Sequence, residues 1–341
     1  MTGIDGVSRR AQITLGAGVA AAVGLVLTSV FAQPLQSLTG VFDVSYFQSA
    51  LRLTVPIAFA ALGGIFAEKS GVINIGLEGL LIIAAFTGVA VTSVVGSGDA
   101  SQSTVWIGFA AAVVASVLLS LVFAVICIEY KADQIIAGLA VWLVALGFAP
   151  FASNVIWGNV NSPSVPTLDV WFGITPTVWM LLIAVPVCWH VLYNTNFGYW
   201  VRASGENPKA LDTVGVDVRK VRYSSVLISG FLSGIGGAGL ALGQVGQFIG
   251  GGTTMVSGRG WIAITAYLFG NYNPLGAFGA SFLFAALNAL QVRLQQIGLA
   301  IPSAVIEMIP YITVIIVLAL VGRTRVPDAA GEHYDTGEDQ R

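Results

Sequence analysis

Few side chains in the apolar stretches of this chain could do chemistry. They are Arg52, Glu78, Arg259 and Glu307, with Arg293 at the end of one stretch. An ionisable group in that setting is expensive and must face a partner or a polar cavity. Glu78 belongs to AEKSGVINIGLEGL (67–80), where Glu68 and Lys69 end one run and Gly71, Gly76 and Gly79 interrupt the next. Glycine breaks of this kind mark discontinuous transporter helices, whose freed backbone groups can line a cavity. Asn74, Glu78 and Arg259 are therefore the candidates for lining a translocation path. The plainer alternative is a cytoplasmic turn in which Glu78 offsets the positive end of the following helix. Glu307, between Pro302 and Pro310, is the carboxylate a proton-coupled carrier would want, but no paired titratable network accompanies it.

Other chemistries find no support. The sequence has no G-x-x-x-x-G-K-[ST] loop, no metal-ligand cluster and no nucleophile beside a base. Cys127 and Cys188 both lie in apolar segments and read as packing residues. His190 and His333 do not cluster. No catalytic residue, metal or cofactor is expected, and the chain is not expected to be an enzyme. A net charge of −2 carries no nucleic-acid signal. Active transport would draw its energy from an ion gradient or from a partner.

The elements that must hold these residues are membrane spans. The chain is 56% hydrophobic and 9% charged, with mean hydropathy +0.84. A soluble domain has about 25% charged residues. The expected fold class is all-α, a polytopic membrane protein with about ten transmembrane helices, some broken or re-entrant, each needing roughly 20 apolar residues. The runs are 11–32, 47–66, 74–95, 104–128, 135–157, 174–193, 223–243, 258–271, 274–293 and 304–322. The run 258–271 is short; it reads as a span, with a half-helix that only dips into the bilayer as the alternative. Arg9 and Arg10 precede 11–32, which reads as a first span; a signal peptide cut near Val30-Phe31-Ala32 is the alternative.

Orientation follows from the cations. With the N-terminus (1–10) inside, cytoplasmic segments hold Arg9, Arg10, Lys69, Lys131, Arg202, Lys209, Arg219, Lys220, Arg222, Arg323, Arg325 and Arg341. Outer loops 96–103, 158–173 and 294–303 hold none. The transmembrane domain then covers 11–322, and a cytoplasmic tail, 323–341, is expected to be disordered. The outer loop 158–173 carries Pro163, Pro166 and Trp171, with Trp157 beside it; it reads as a rim loop or as a contact for an external binding protein.

A polar island at 194–223 stands out. It holds Arg202, Lys209, Arg219, Lys220 and Arg222, a third of the 15 basic residues. Asn207-Pro208 reads as a helix start and Gly215 as its stop. PKALDTV between them makes about two turns. Ala210, Leu211 and Val214 fall on one face, suited to a shallow groove. Asp217 can cap the next helix. A short helix held between two spans suits mechanical coupling to a partner; an ordinary positive-inside loop is the alternative.

Two further patterns concern packing. YSSVLISGFLSGIGGAGLALG (223–243) repeats Gly230/Gly234 and Gly239/Gly243 at i, i+4, which permits close helix contact. GQVGQFIGGGTTMVSGRG (243–260) is glycine-rich and reads as a non-helical outer connection. The segment after it, RGWIAITAYLFG (259–270), loosely echoes EGLLIIAAFTG (78–88). The two run in opposite directions on this topology, as an inverted repeat requires; chance likeness between apolar segments is the alternative.

GVINIGLEG (71–79), ADQIIAGLAVWLVALG (132–147), RASGENPKALDTVGVDVRKVRY (202–223), SGRGWIAITAYLFGNYNPLGA (257–277) and MIPYITVIIVLAL (308–320) together resemble the permease subunit of nucleoside and simple-sugar ABC importers, within the branched-chain amino acid and ribose permease superfamily. The resemblance covers most of 50–322. It implies that the island is the element coupled to a cytoplasmic ATP-binding subunit; Gly205, Glu206, Asn207, Pro208 and Ala210 match the family pattern, and with Lys209, Leu211, Val214 and Gly215 of the same short helix and its stop they are the candidate coupling residues. It also implies a second related permease, an extracytoplasmic substrate-binding protein and a cell-membrane location with both termini cytoplasmic. The NIGLEG form is similar to the shorter of the two permeases. The implied function is import of a small molecule, a nucleoside or simple sugar. An ion-coupled secondary transporter and a non-transporting membrane scaffold are the alternatives.

Overall fold

The structure, a computed structural model, describes residues 42–96, 100–252, 254–296, 312 and 325–334. The expected spans 11–32 and 304–322 lie outside the described residues, Ile312 excepted, as does most of the 294–303 loop. Ten α-helices are described: α1 Val44–Lys69, α2 Leu77–Gly96, α3 Gln102–Ala124, α4 Gln134–Trp157, α5 Pro176–Asn194, α6 Asn196–Glu206, α7 Pro208–Thr213, α8 Val218–Leu240, α9 Arg259–Phe269 and α10 Pro274–Gln296. α3 and α8 each continue through a π-turn, Val125–Glu129 and Ala241–Val245. Seven of the described helices are long and apolar enough to cross a membrane. The protein is thus all-α and polytopic.

Local chemistry sets the ends. Asp133 caps α4 by accepting from the N–H groups of Ile135 and Ile136 at 2.9 and 3.0 Å, and Gly158 ends it in the left-handed region. Pro176 opens α5 at a first-turn position. At 11 residues α9 is about 16 Å long by helical rise, half a hydrocarbon core. The short run read over 258–271 forms an 11-residue helix.

Burial is distributed as a bilayer requires. In the most apolar windows of α1 and α8, 83% and 78% of residues are buried, against 33% for α3 and 28% for α4. α3 has the highest hydropathy of the seven yet lies among the least buried, so its apolar face meets lipid or another chain rather than this core. α8 packs on α3 and α2. The glycine ridge expected on α8 makes that approach: a Cβ at Gly234 would sit 2.9 Å from the Val113 backbone, and one at Gly230 would collide with Ser120.

Two compact units are distinguished. Residues 42–50 and 286–296 belong to one, where Arg293 reaches Asp43 at 2.6 Å and Ser45 at 2.7 Å. The second comprises 51–285 with 325–334, and every candidate site residue falls in it.

Candidate functional site

The polar island folds into two helices. α6 was not expected from the sequence. It starts where the Thr195 hydroxyl accepts from the Gly198 N–H at 3.2 Å, and Arg202 stacks over Tyr193 and Tyr199 at 5.1 and 4.8 Å. Its far end is pressed onto the turn after α1: the Ser204 hydroxyl donates to Ser70 O at 2.8 Å. A Cβ on Gly205 would collide with the Lys69 carbonyl. Gly205 is therefore a site of close backbone approach inside the chain.

α7 has the boundaries the sequence implies. Asn207 Oδ1 accepts from Ala210 N at 3.1 Å, Pro208 is the first residue, and Gly215 at φ 81 stops the turn. Asp217 caps α8 through the Lys220 N–H at 3.1 Å. That backbone bond, opposed by slight burial and helped by the Lys220 ammonium, holds the Asp217 carboxyl below the usual carboxylate range. Glu206, Lys209, Ala210 and Val214 are exposed. Leu211 is not: it is 4% exposed, while Val214 is 73% exposed. The expected single face of Ala210, Leu211 and Val214 is thus divided, because Leu211, at about 100° from Ala210 around the helix, turns into the chain and anchors α7.

Of the translocation-path candidates, Glu78 and Arg259 lie at one joint, while Asn74 is bonded elsewhere. The N-termini of α2 and α9 meet, and Glu78 lies between them, 2% exposed. Its Oε1 accepts from Gly258 N at 2.8 Å and its Oε2 from Gly260 N at 2.6 Å. A Cβ on Gly260 would strike the Glu78 backbone. The Arg259 guanidinium turns back onto the carbonyls of Met255 and Val256 at 2.8 and 2.9 Å. Asn74 donates to Ser229 Oγ at 3.0 Å and accepts from Gly76 N at 3.1 Å. Gln134, which sequence reasoning passed over, accepts from Ile73 N at 2.7 Å and ties the same break to α4.

Also unforeseen is the setting of Glu68. It is buried, and it accepts from the hydroxyls of Tyr267, very closely, and Tyr272, at 2.8 Å. The connections after α4 and after α8 are paired as well: Ser162 N donates to Phe248 O at 2.9 Å, and Val165 N to Gly246 O at 2.7 Å. Among the described residues no group of three or more His, Cys, Asp or Glu side chains could hold a metal ion.

The tail departs from its expected disorder over 325–334. Arg325 N donates to Asn271 Oδ1 at 3.0 Å, Ala329 N to Gly205 O at 2.8 Å, and Gly331 N to Gly71 O at 3.0 Å. Arg222 Nη1 donates to Glu332 O at 2.7 Å, and the Tyr334 hydroxyl to Asp212 Oδ2 at 2.9 Å. Composition alone marks this segment as polar, but the turns it meets supply matching donors and acceptors.

Comparison with known proteins gives consistent results. The profile of a family described as branched-chain amino acid transport system / permease component matches residues 46–318. The guanosine ABC transporter permease protein NupQ of Bacillus subtilis is 34% identical over 310 residues, 85% of this chain and 96% of that one. The nucleoside ABC transporter permease protein NupC of Lactococcus lactis is 35% identical, covering 83% and 94%. The putative glucose ABC transporter permease protein TsgC13 of Haloferax volcanii is 30% identical, covering 86% and 98%. No solved structure matches.

Proposed function

As the chain belongs to the family of branched-chain amino acid transport system permease components, we propose that it is the membrane permease of an ABC importer that carries nucleosides inward. The observation that carries the reading is similarity to two nucleoside permeases at 34 and 35% identity over 85 and 83% of this chain. The glucose relative, at 30%, keeps simple sugars as the second substrate class. Energy comes from a cytoplasmic ATP-binding subunit. A second, related permease and an extracytoplasmic substrate-binding protein complete the assembly. The weakly buried faces of α3 and α4 supply apolar surface for a second permease or for lipid.

Both termini lie in the cytoplasm on this reading, since the cations gather on one side. The island at 194–223 then faces the ATP-binding subunit. α7 has the features a transmitting element needs: capped ends, one buried anchor at Leu211, exposed Lys209 and Ala210, and exposed Glu206 and Val214 flanking it. Closure of the ATP-binding subunits displaces α7, and the spans alternate access to a cavity between the two permeases.

The test is uptake of radiolabelled guanosine and glucose by proteoliposomes holding the complete transporter. ATP-dependent guanosine uptake without glucose uptake is the expected result. Uptake that persists without ATP and collapses with the ion gradient would mark a secondary transporter instead. Val214→Asp should lower uptake while ATP hydrolysis continues; unchanged uptake would remove the coupling role from α7.

A further inference from the structure

α7 is six residues long. Force applied to so short a helix reaches the spans only through whatever holds it. Its covalent links are Asn207 at one end and 214–217 at the other, the latter containing Gly215 in the left-handed region. A further link comes from the far end of the chain. Residues 325–334 bond the α9–α10 turn (Asn271), the end of α6 (Gly205), the turn between α1 and α2 (Gly71), the start of α8 (Arg222) and α7 itself (Asp212). Pro327 and Ala329 are buried in the process. With α7, the segment walls a cavity of about 310 Å³ lined by Glu206, Lys209 and Glu332 among others.

We propose that residues 325–334 are a strap that moves with α7 and passes its displacement to the α1–α2 break and to α8, with Tyr334 and Arg222 as its positioning residues. The inference rests on α7 being the coupling helix. Two features favour transmission over simple closure of the chain end. First, the strap meets five separate elements at single points rather than pairing along one, which is the arrangement of a tie. Second, Arg222 is 4% exposed yet uses one donor only; Nε and Nη2 have no partner among the described residues. A guanidinium buried at that cost adds little to stability and fixes position. It also packs against Gly71, where a Cβ would lie 2.8 Å from Nη2, so the strap, α8 and the α1–α2 turn share one contact.

The measurement is substrate taken up per ATP hydrolysed, in proteoliposomes of the complete transporter, with assembly followed by co-purification of the ATP-binding subunit. Tyr334→Phe and Asp212→Ala should each lower the ratio about threefold, the scale of one hydrogen bond, and the double variant no further. Asp212→Asn, whose amide oxygen still accepts, should keep the wild-type ratio. Replacing 327–334 by a glycine–serine run of equal length should lower it most, with hydrolysis and assembly retained. An unchanged ratio in these variants, or a fall explained by lost assembly, overturns the strap. If Val214→Asp lowers the ratio while the strap variants do not, the strap alone fails. If Val214→Asp also leaves it unchanged, the coupling reading of α7 fails first.

Discussion

Glu78 accepts the backbone N–H of Gly260 at 2.6 Å across 182 residues of sequence, and the same carboxylate takes Gly258 with its other oxygen. Two helix N-termini, each with unsatisfied donors and a positive dipole end, are thereby held by one negative charge. The joint lies at the starts of the two segments, 78–88 and 259–270, whose sequences loosely echo each other.

The joint predicts a graded loss of stability. Glu78→Ala leaves two buried N–H groups without an acceptor, at about 1–3 kcal/mol each. Glu78→Gln keeps one acceptor and should fall between Ala and wild type. Gly260→Ala should not accumulate as folded protein, because its Cβ meets the Glu78 backbone. Thermal unfolding of detergent-purified permease reads the order. If Glu78→Ala melts with the wild type, the carboxylate is free for a substrate path rather than committed to the joint.

The Glu68 cluster predicts a non-additive triple. Tyr267→Phe and Tyr272→Phe each remove a donor to a buried carboxylate and should cost about 1–3 kcal/mol. Adding Glu68→Met to the double Phe variant removes the stranded charge, so the triple variant should be more stable than the double. A triple no more stable than the double would mean that the tyrosines act through packing alone. Gly64 packs on the Tyr267 ring, so ring and hydroxyl contributions are separable by this design.

The spans were legible because lipid demands long apolar runs, and the bounds of α4 and α5 lie within two residues of those read from sequence. The caps at Asn207, Gly215 and Asp217 were legible for a different reason: each acts within four residues of itself. What escaped notice depends on distant parts of the chain. α6 hides in a segment of mixed polarity, where Thr195 was its one local signal. Leu211 faces inward because of what lies beneath α7, which no local pattern encodes. The partners of Glu68 are about 200 residues away. The strap has no periodicity of its own, and its order comes from bonds to five other elements.

Arg222→Met separates position from stability. The side chain is buried with two nitrogens that have no partner among the described residues, so an apolar residue of similar length should leave the stability within about 1 kcal/mol of wild type or raise it. The transport ratio should nonetheless fall, since the bond to Glu332 O is lost. Arg222→Lys keeps charge but not the planar fork, and should be the less stable of the two. Equal transport in Arg222→Met and wild type would confine the guanidinium to packing.

Phe172 carries the last prediction. Trp171 and Ile174 exchange two backbone hydrogen bonds at 2.9 and 3.1 Å, and the residues between them, Phe172 and Gly173, have φ of 53° and 79°. That is a two-residue hairpin turn with both central residues left-handed, a place for Asn-Gly. A phenylalanine there costs about 1 kcal/mol, and it is 96% exposed, so no packing within this chain offsets the strain. Phe172→Asn should therefore stabilise the fold. If the aromatic tip contacts the substrate-binding protein, the variant should also raise the concentration of loaded binding protein needed for half-maximal uptake. Unchanged half-saturation, with weaker partitioning of the purified permease into lipid vesicles, would assign the tip to the membrane interface instead.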